Sequence, residues 1–266
     1  WKRPSMADVG VPRSIQVAIQ SQLNGLSENV REMLEQAAII GREFDFDLLR
    51  YVRNIDEDSL LEALDEALHA RLLEEVSGSG KVRFMFVHAL VPTAIMTSLR
   101  TVRRRRLHKR AAVALEAIQP EPYEALAYQF LEAGDKNKGV DYLIKAGDRA
   151  RGLFAHEEAI KNYKQAVEHL IESKELSRAA RTLMKLGMSY HSDYQLTEAC
   201  QAYDQAFNLY QQFGRLEEGE ILPPAPHPYR ILLGKPSSLD PNLDVTGWAK
   251  LIYDNLFSGL VELTSA

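Results

Sequence analysis

A pattern near the middle of this chain is written again forty residues later. Gly147, Glu158-Ala159, Tyr163 and Gln165-Ala166 recur as Gly187, Glu198-Ala199, Tyr203 and Gln205-Ala206. Small residues let two helix backbones cross closely, and an aromatic ring fills the space between successive pairs. Stacked helical hairpins need both. The candidate packing residues are therefore Gly147, Ala159, Tyr163, Ala166, Gly187, Ala199, Tyr203 and Ala206. Breaks at Gly134-Asp135, Phe154-Ala155, Ser173, Asp193 and Gly214 divide residues 123–213 into helices. A half-repeat (Lys138-Gly139, Leu143, Ala146) comes first, so the helix over 137–153 is expected to serve two successive pairs. The period exceeds the ~34 residues usual for two-helix repeats. The polar stretch 172–177 is expected to hold the excess as an insert.

Ahead of the repeat the pattern is different. Residues 12–24 have helical spacing and read as a connecting helix. Ser27 caps the next helix, Val30, Met33, Leu34, Ala37 and Ala38 form its apolar face, and Gly41 stops it. Asp45 can cap a second helix, with Phe44 and Leu49 as a hydrophobic staple. A third runs over 58–71, with Leu60, Leu61, Leu64, Ala67 and Leu68 on its buried side. The period then changes to two. Residues 72–76 and 81–87 flank Ser77-Gly78-Ser79-Gly80, and Val82, Phe84 and Phe86 alternate with Lys81, Arg83 and Met85. This is a hairpin signal, and three helices followed by a hairpin is the layout of a winged helix. Helices return over 88–99 and 101–118. The chain is thus expected to be mainly α: a helical winged-helix domain (25–119) after a connecting segment (1–24), then a helical solenoid (120–214). Residues 215–228 carry Pro223-Pro224-Ala225-Pro226-His227-Pro228 and read as a linker. Residues 229–266 read as a short α/β segment, the truncated start of a further domain.

A net charge of −5 gives no global attraction to nucleic acid or an anionic membrane. No apolar run approaches the ~18–20 residues that span a bilayer, and no signal peptide stands at the start. Cys200 is the only cysteine, which fits a reducing cytoplasm. Trp1 in place of an initiating methionine, with the short tail, suggests an internal piece of a longer polypeptide.

Several segments resemble one family. Gly41-Arg42-Glu43-Phe44, the run from Phe84 through His88-Ala89-Leu90-Val91, and Arg104-Arg105-Arg106-Leu107-His108 look like bacterial signal-transduction ATPases with numerous domains. So do Ala133-Gly134-Asp135, Ala146-Gly147-Asp148-Arg149-Ala150 and Glu158-Ala159 in the repeat. In that family a P-loop ATPase precedes a winged helix and tetratricopeptide repeats. Pro92-Thr93 stands where members often have Arg-Glu, which puts a charge-pair role there in doubt. The resemblance implies an upstream ATPase domain in cis that takes ATP or ADP with Mg, and a protein partner on the repeats. It also implies that His88 contacts the diphosphate of bound ADP. The tail resembles a second family. Leu239-Asp240-Pro241 and Asn255-Leu256-Phe257-Ser258-Gly259-Leu260-Val261 look like the start of oligopeptide-type solute-binding proteins of ABC transporters. A complete domain of that kind would take a peptide or small molecule.

The residues themselves offer little chemistry. Gly78-Ser79-Gly80-Lys81 lacks the glycine spacing and the hydroxyl of a phosphate cradle, and reads as a turn. No catalytic constellation and no metal-ligand spacing is present, so this stretch is not expected to be an enzyme or to hold a cofactor of its own. His156, His169 and His191 read as surface or packing residues. Arg103, Arg104, Arg105 and Arg106, with Lys109 and Arg110, form a basic cluster that could hold phosphates or another domain. Leu107, Ala111, Val113, Ala114 and Leu115 interleave with it as the buried face of the same helix, which favours a solvated or inter-domain role. DNA reading is disfavoured because the third helix carries Glu57, Asp58, Glu62, Asp65 and Glu66. The expected function is a non-catalytic regulatory and protein-interaction arm. The alternatives are a transporter binding protein with a helical extension, and a repeat scaffold without nucleotide control.

Overall fold

A computed structural model describes residues 13–76 and 82–214. Helix α1 (Arg13–Asn24) leads into α2 (Glu28–Ile40), which is followed by β1 (Glu43–Asp45), α3 (Phe46–Arg53), α4 (Glu57–His69), β2 (Leu73–Val76) and β3 (Arg83–Phe86). Then come α5 (Leu90–Ser98), α6 (Thr101–Ile118), α7 (Tyr123–Ala133), α8 (Lys136–Gly152), α9 (His156–Glu172), α10 (Leu176–Ser192) and α11 (Leu196–Gly214). The hairpin tip, the proline-rich linker and the tail likened to a solute-binding domain lie outside the described residues.

Local chemistry sets the N-terminal elements. The Ser27 hydroxyl accepts from the Val30 N–H, and Gly41, at φ 152°, closes α2 with its N–H on the Ala37 carbonyl. The Asp45 carboxylate accepts from the N–H groups of Asp47 and Leu48 and so starts α3. Phe44 and Leu49 on either side of that cap are both buried in the same core. The sheet has three strands, not two. Its order is β1-β3-β2, antiparallel throughout, with Phe44 opposite Phe84 and Leu73 opposite Phe86. The strand β1 escaped notice because three residues are too few to show alternation. The sequence of elements from α2 to β3, with a three-stranded sheet, is the winged-helix arrangement. Two residues expected inside face solvent: Leu61 is 44% exposed and Val113 46%. On α4 the buried stripe is Leu60, Ala63, Leu64 and Ala67, and Leu61 lies a step around the helix from it.

From α6 onward each helix packs on the next, giving a tetratricopeptide-like stack. The repeat is longer than ~34 residues because its helices are long, not because of an insert. Helices α8, α9 and α10 each have 17 residues. The turn between α9 and α10 is three residues long, like those before and after it. Each turn also has the same backbone path. Gly134, Phe154, Lys174 and Tyr194, spaced by twenty, all have positive φ. The residue after each donates its N–H five residues back, at 2.9 Å in all four turns.

Only the first of these left-handed positions carries glycine. Phe154 and Tyr194 are 81% and 90% exposed, so they contribute little packing to offset the backbone strain. Phe154→Gly and Tyr194→Gly should each raise stability by about 0.5–1 kcal/mol, the relief of strain being partly offset by greater unfolded-chain entropy. Thermal unfolding checks this; a lower melting temperature in both variants would refute it.

A hydrophobic cluster crosses the boundary expected at residue 119. Ile39 of α2 and Leu48 and Val52 of α3 share it with Leu107, Ala111 and Leu115 of α6 and with Leu126 and Phe130 of α7. Helix α6 thus belongs to the winged-helix unit and to the stack at once.

Candidate functional site

His88 lies in the bend between β3 and α5. The Val87 N–H donates to the Leu72 carbonyl and closes the end of the sheet, and the His88 carbonyl accepts from the Val91 N–H at 3.0 Å. The imidazole is exposed and stands two residues ahead of α5, not within it. Ala89 occupies the N-cap of α5 in a helical conformation with no side-chain cap, so His88 does not cap this helix. Among the described residues no side chain holds the imidazole.

The four arginines have different surroundings. Arg103 reaches across to α2, donating from Nε to Glu35 at 2.7 Å and from Nη2 to Glu32 at 3.2 Å. Burial works against the charge of Arg103, but the two carboxylates outweigh it and hold its pKa above the ordinary value. Burial raises the pKa of Glu35 in spite of Arg103. This pair ties the start of α6 to α2. Arg104 is half-buried, while Arg105 and Arg106 are exposed.

Sequence reasoning missed the polar group at the centre of this junction. His108 is 1% exposed. Its Nδ1 lies 2.8 Å from Gln129 Oε1 on α7. The Gln129 Nε2 donates to the Ile39 carbonyl at 2.7 Å. That carbonyl belongs to the last turn of α2, where no intrahelical donor remains. The Ile39 acceptor fixes which way the amide points, so the imidazole must carry its proton on Nδ1 and donate. A signal was present: His108 lies beside Leu107 and ahead of Ala111 and Ala112 on one face, so a histidine stood within an apolar stripe.

The charged groups facing His108 are Glu132, whose Oε2 is 4.0 Å from Nε2, and Arg104. Burial dominates and lowers the His108 pKa from the ordinary 6.5, against the raising effects of Gln129 and Glu132. The folded state therefore prefers neutral imidazole. Its contribution to stability is complete above the unfolded value and is lost as pH falls through the folded value. The melting temperature of the wild type should fall more steeply below about pH 6.5 than that of His108→Gln. Parallel curves would show that His108 does not titrate against the fold.

Within the stack the repeated residues meet as pairs. A methyl group at Gly147 would come within 2.6 Å of Tyr163 Cε1, and one at Gly187 would overlap the Tyr203 ring in the same way. Ala159, Ala166, Ala199 and Ala206 are all buried. The Tyr163 hydroxyl donates to Asp148 at 2.6 Å, and burial together with that carboxylate pushes its pKa up. Ion pairs link alternate helices: Glu116 with Lys138, Asp141 with Arg178, and Asp148 with Lys185. Exposed pairs of this kind add little stability, but they fix the register of one helix on another. Between α9 and α11 lies a groove of about 340 Å³, with Leu183, Leu186 and Tyr190 as its floor and Lys164, Glu168, Glu198 and Gln201 on its walls. An apolar floor with mixed charge on the rims suits a peptide segment or a partner's side chains.

The family model of soluble NSF attachment proteins (SNAP) matches residues 115–217, from the end of α6 to just past α11. Comparison with curated proteins gives no match. Among solved structures, a signal transduction ATPase with numerous domains (STAND) protein with a tetratricopeptide repeat sensor, from Pyrococcus horikoshii, is similar at 12% identity and a TM-score of 0.37. The match covers 77% of this chain and 35% of that one. Those values are too low to establish a common fold, which rests here on the packing of the helices themselves.

Proposed function

We propose that this chain is a non-catalytic regulatory arm of a multidomain signalling ATPase, acting in the cytoplasm, in which the helical stack receives a protein partner and the winged-helix unit reports to the nucleotide site. The observation that carries this reading is the double membership of α6. One helix supplies Leu107, Ala111 and Leu115 to a core shared with α2, α3 and α7, and Arg103 and the Gln129 bridge hold the same junction. A load placed on the stack is therefore borne directly by α2. His88, exposed and without a partner among the described residues, is the residue available to a diphosphate from outside. An imidazole N–H ahead of a helix N-terminus suits anionic oxygen.

The test uses the polypeptide that naturally contains this chain, purified without added nucleotide. Denaturation should release near-stoichiometric ADP, and His88→Ala should lower that amount. No nucleotide, even after incubation with ATP, would overturn the reading.

A second reading, a repeat scaffold without nucleotide control, has one observation in its favour. Arg103 is committed to Glu32 and Glu35 and is not available to a phosphate. Partner binding that is unaffected by His88→Ala and by nucleotide would favour it.

A further inference from the structure

We infer that the cleft between the last turn of α3 and the middle of α6 binds an acidic segment of a partner protein. A carboxylate of that segment meets Arg53, Lys109 and Arg110, and an apolar residue beside it meets Tyr51 and Val113. The site is separate from His88 and from the groove between α9 and α11, and the inference does not depend on nucleotide sensing.

The cleft has a volume of about 590 Å³. Tyr51, Val52, Arg53 and Asn54 line it from α3 and its cap, and Lys109, Arg110 and Val113 line it from α6. None of its three cations is in ion-pair contact with a carboxylate of the described residues. Lys109 and Arg110 are exposed. Arg53 is only 9% exposed, and a charge so far out of water ordinarily has an opposite charge beside it. Instead its Nη1 donates to the Asn29 carbonyl at 3.1 Å and its Nη2 to the Asn29 side-chain oxygen at 2.6 Å, both neutral acceptors. Its Nε is buried and has no acceptor. Glu32 acts on the guanidinium, but that carboxylate is bonded to Arg103, and burial outweighs it and pulls the Arg53 pKa below the ordinary value. Buried donors without an acceptor are uncommon in folded proteins. A carboxylate seated in the cleft supplies both the acceptor and the missing negative charge.

The rest of the cleft specifies what accompanies that carboxylate. Tyr51 is 53% exposed and Val113 46%, and together they give an apolar wall. On the other side of Tyr51, Arg50 is already paired with Asp47 and Glu57, at 3.8 and 2.6 Å. Unpaired positive charge is therefore confined to one end of the cleft, so the occupant is acidic at that end and apolar at Tyr51. The cleft also chooses between a carboxylate and a phosphate. It is built on the last turn of α3, which Asn54 closes at φ 53° with its N–H on the Arg50 carbonyl. The final carbonyls of a helix lack intrahelical donors and carry the negative end of its dipole. They suit the N–H groups of a peptide and work against a phosphate dianion.

The test is fluorescence anisotropy of a labelled peptide, Glu-Glu-Leu-Phe with both ends blocked, against the whole chain. It should bind, and the Gln-Gln-Leu-Phe peptide should bind at least about tenfold more weakly. Lys109→Glu with Arg110→Glu in the chain should weaken the acidic peptide at least about tenfold. Both residues are exposed, so that variant should keep its fold and its circular dichroism. In the wild type, the NMR signal of the Arg53 Nε–H should shift when the peptide is added, because the group gains an acceptor. Inorganic phosphate equimolar with the peptide should displace little of it. No binding by the whole chain, equal binding of the two peptides, or binding that ignores the double variant overturns the inference. So does an Arg53 signal that stays still while the peptide is bound. Displacement by equimolar phosphate overturns it too: the occupant would then be a phosphate.

Discussion

Replacing Tyr163 by alanine should lower the unfolding free energy by about 3–5 kcal/mol, while the same change at Tyr203 should cost less than about half of that. The two residues are counterparts in the repeat, and each ring lies over a glycine, Gly147 or Gly187. They differ in what lies beyond the ring. Tyr163 is 0% exposed, enclosed between pairs, and its hydroxyl is bound to Asp148. Its removal leaves a cavity that the neighbouring helices cannot close, because Asp148 is also tied to Lys185 of α10 at 2.7 Å. Tyr203 belongs to the last pair and is partly exposed, so water or a shift of α11 can fill the space. Chemical denaturation of both variants measures the difference. Equal losses would mean that α11 closes over its glycine contact as firmly as the middle of the stack does.

Gln129→Ala should cost about 2–6 kcal/mol, more than its size suggests. It removes one amide but leaves two buried groups without partners, the Nδ1–H of His108 and the Ile39 carbonyl. Each orphan costs about 1–3 kcal/mol. The loss also falls at the point where α7 holds the end of α2, ninety residues away in sequence. The variant should therefore loosen the winged-helix unit from the stack as well as lower the overall stability. The reading is a pair of unfolding curves, one for α2 and one for α9, that coincide in the wild type and separate in the variant. A loss under about 1 kcal/mol would show that water satisfies both groups.

The sequence disclosed local features better than joints. Ser27, Asp45 and Gly41 announced helix ends because caps act over a few residues, and the breaks at Gly134, Phe154, Ser173 and Asp193 fell at or beside the observed turns. The alternation of Phe84 and Phe86 showed the hairpin, but β1 needed its partner strand to exist at all. The length of the repeat was legible, though not its cause, because the turn at Ser173-Lys174-Glu175 is polar and looked like extra chain. The junction was hidden for a physical reason. His108 and Gln129 are polar residues on amphipathic helices, and such residues ordinarily face water. They are buried because α2 ends against them with an unpaired carbonyl, a fact of tertiary structure. His88 and the arginine cluster were visible as residue types. Their surroundings were not: Arg103 finds Glu32 and Glu35 from an element some seventy positions earlier.

Coupling between the winged-helix unit and the stack is most directly tested by native-state hydrogen exchange on the unmodified chain in rising denaturant. The slowest amides of α2 and of α7 should open together, with one free energy and one denaturant dependence, because α6 and the Gln129 bridge make them parts of a single cooperative unit. Opening of α2 at lower denaturant, while α7 stays closed, would mean that the two halves are independent, and that a partner on the stack has no route to His88.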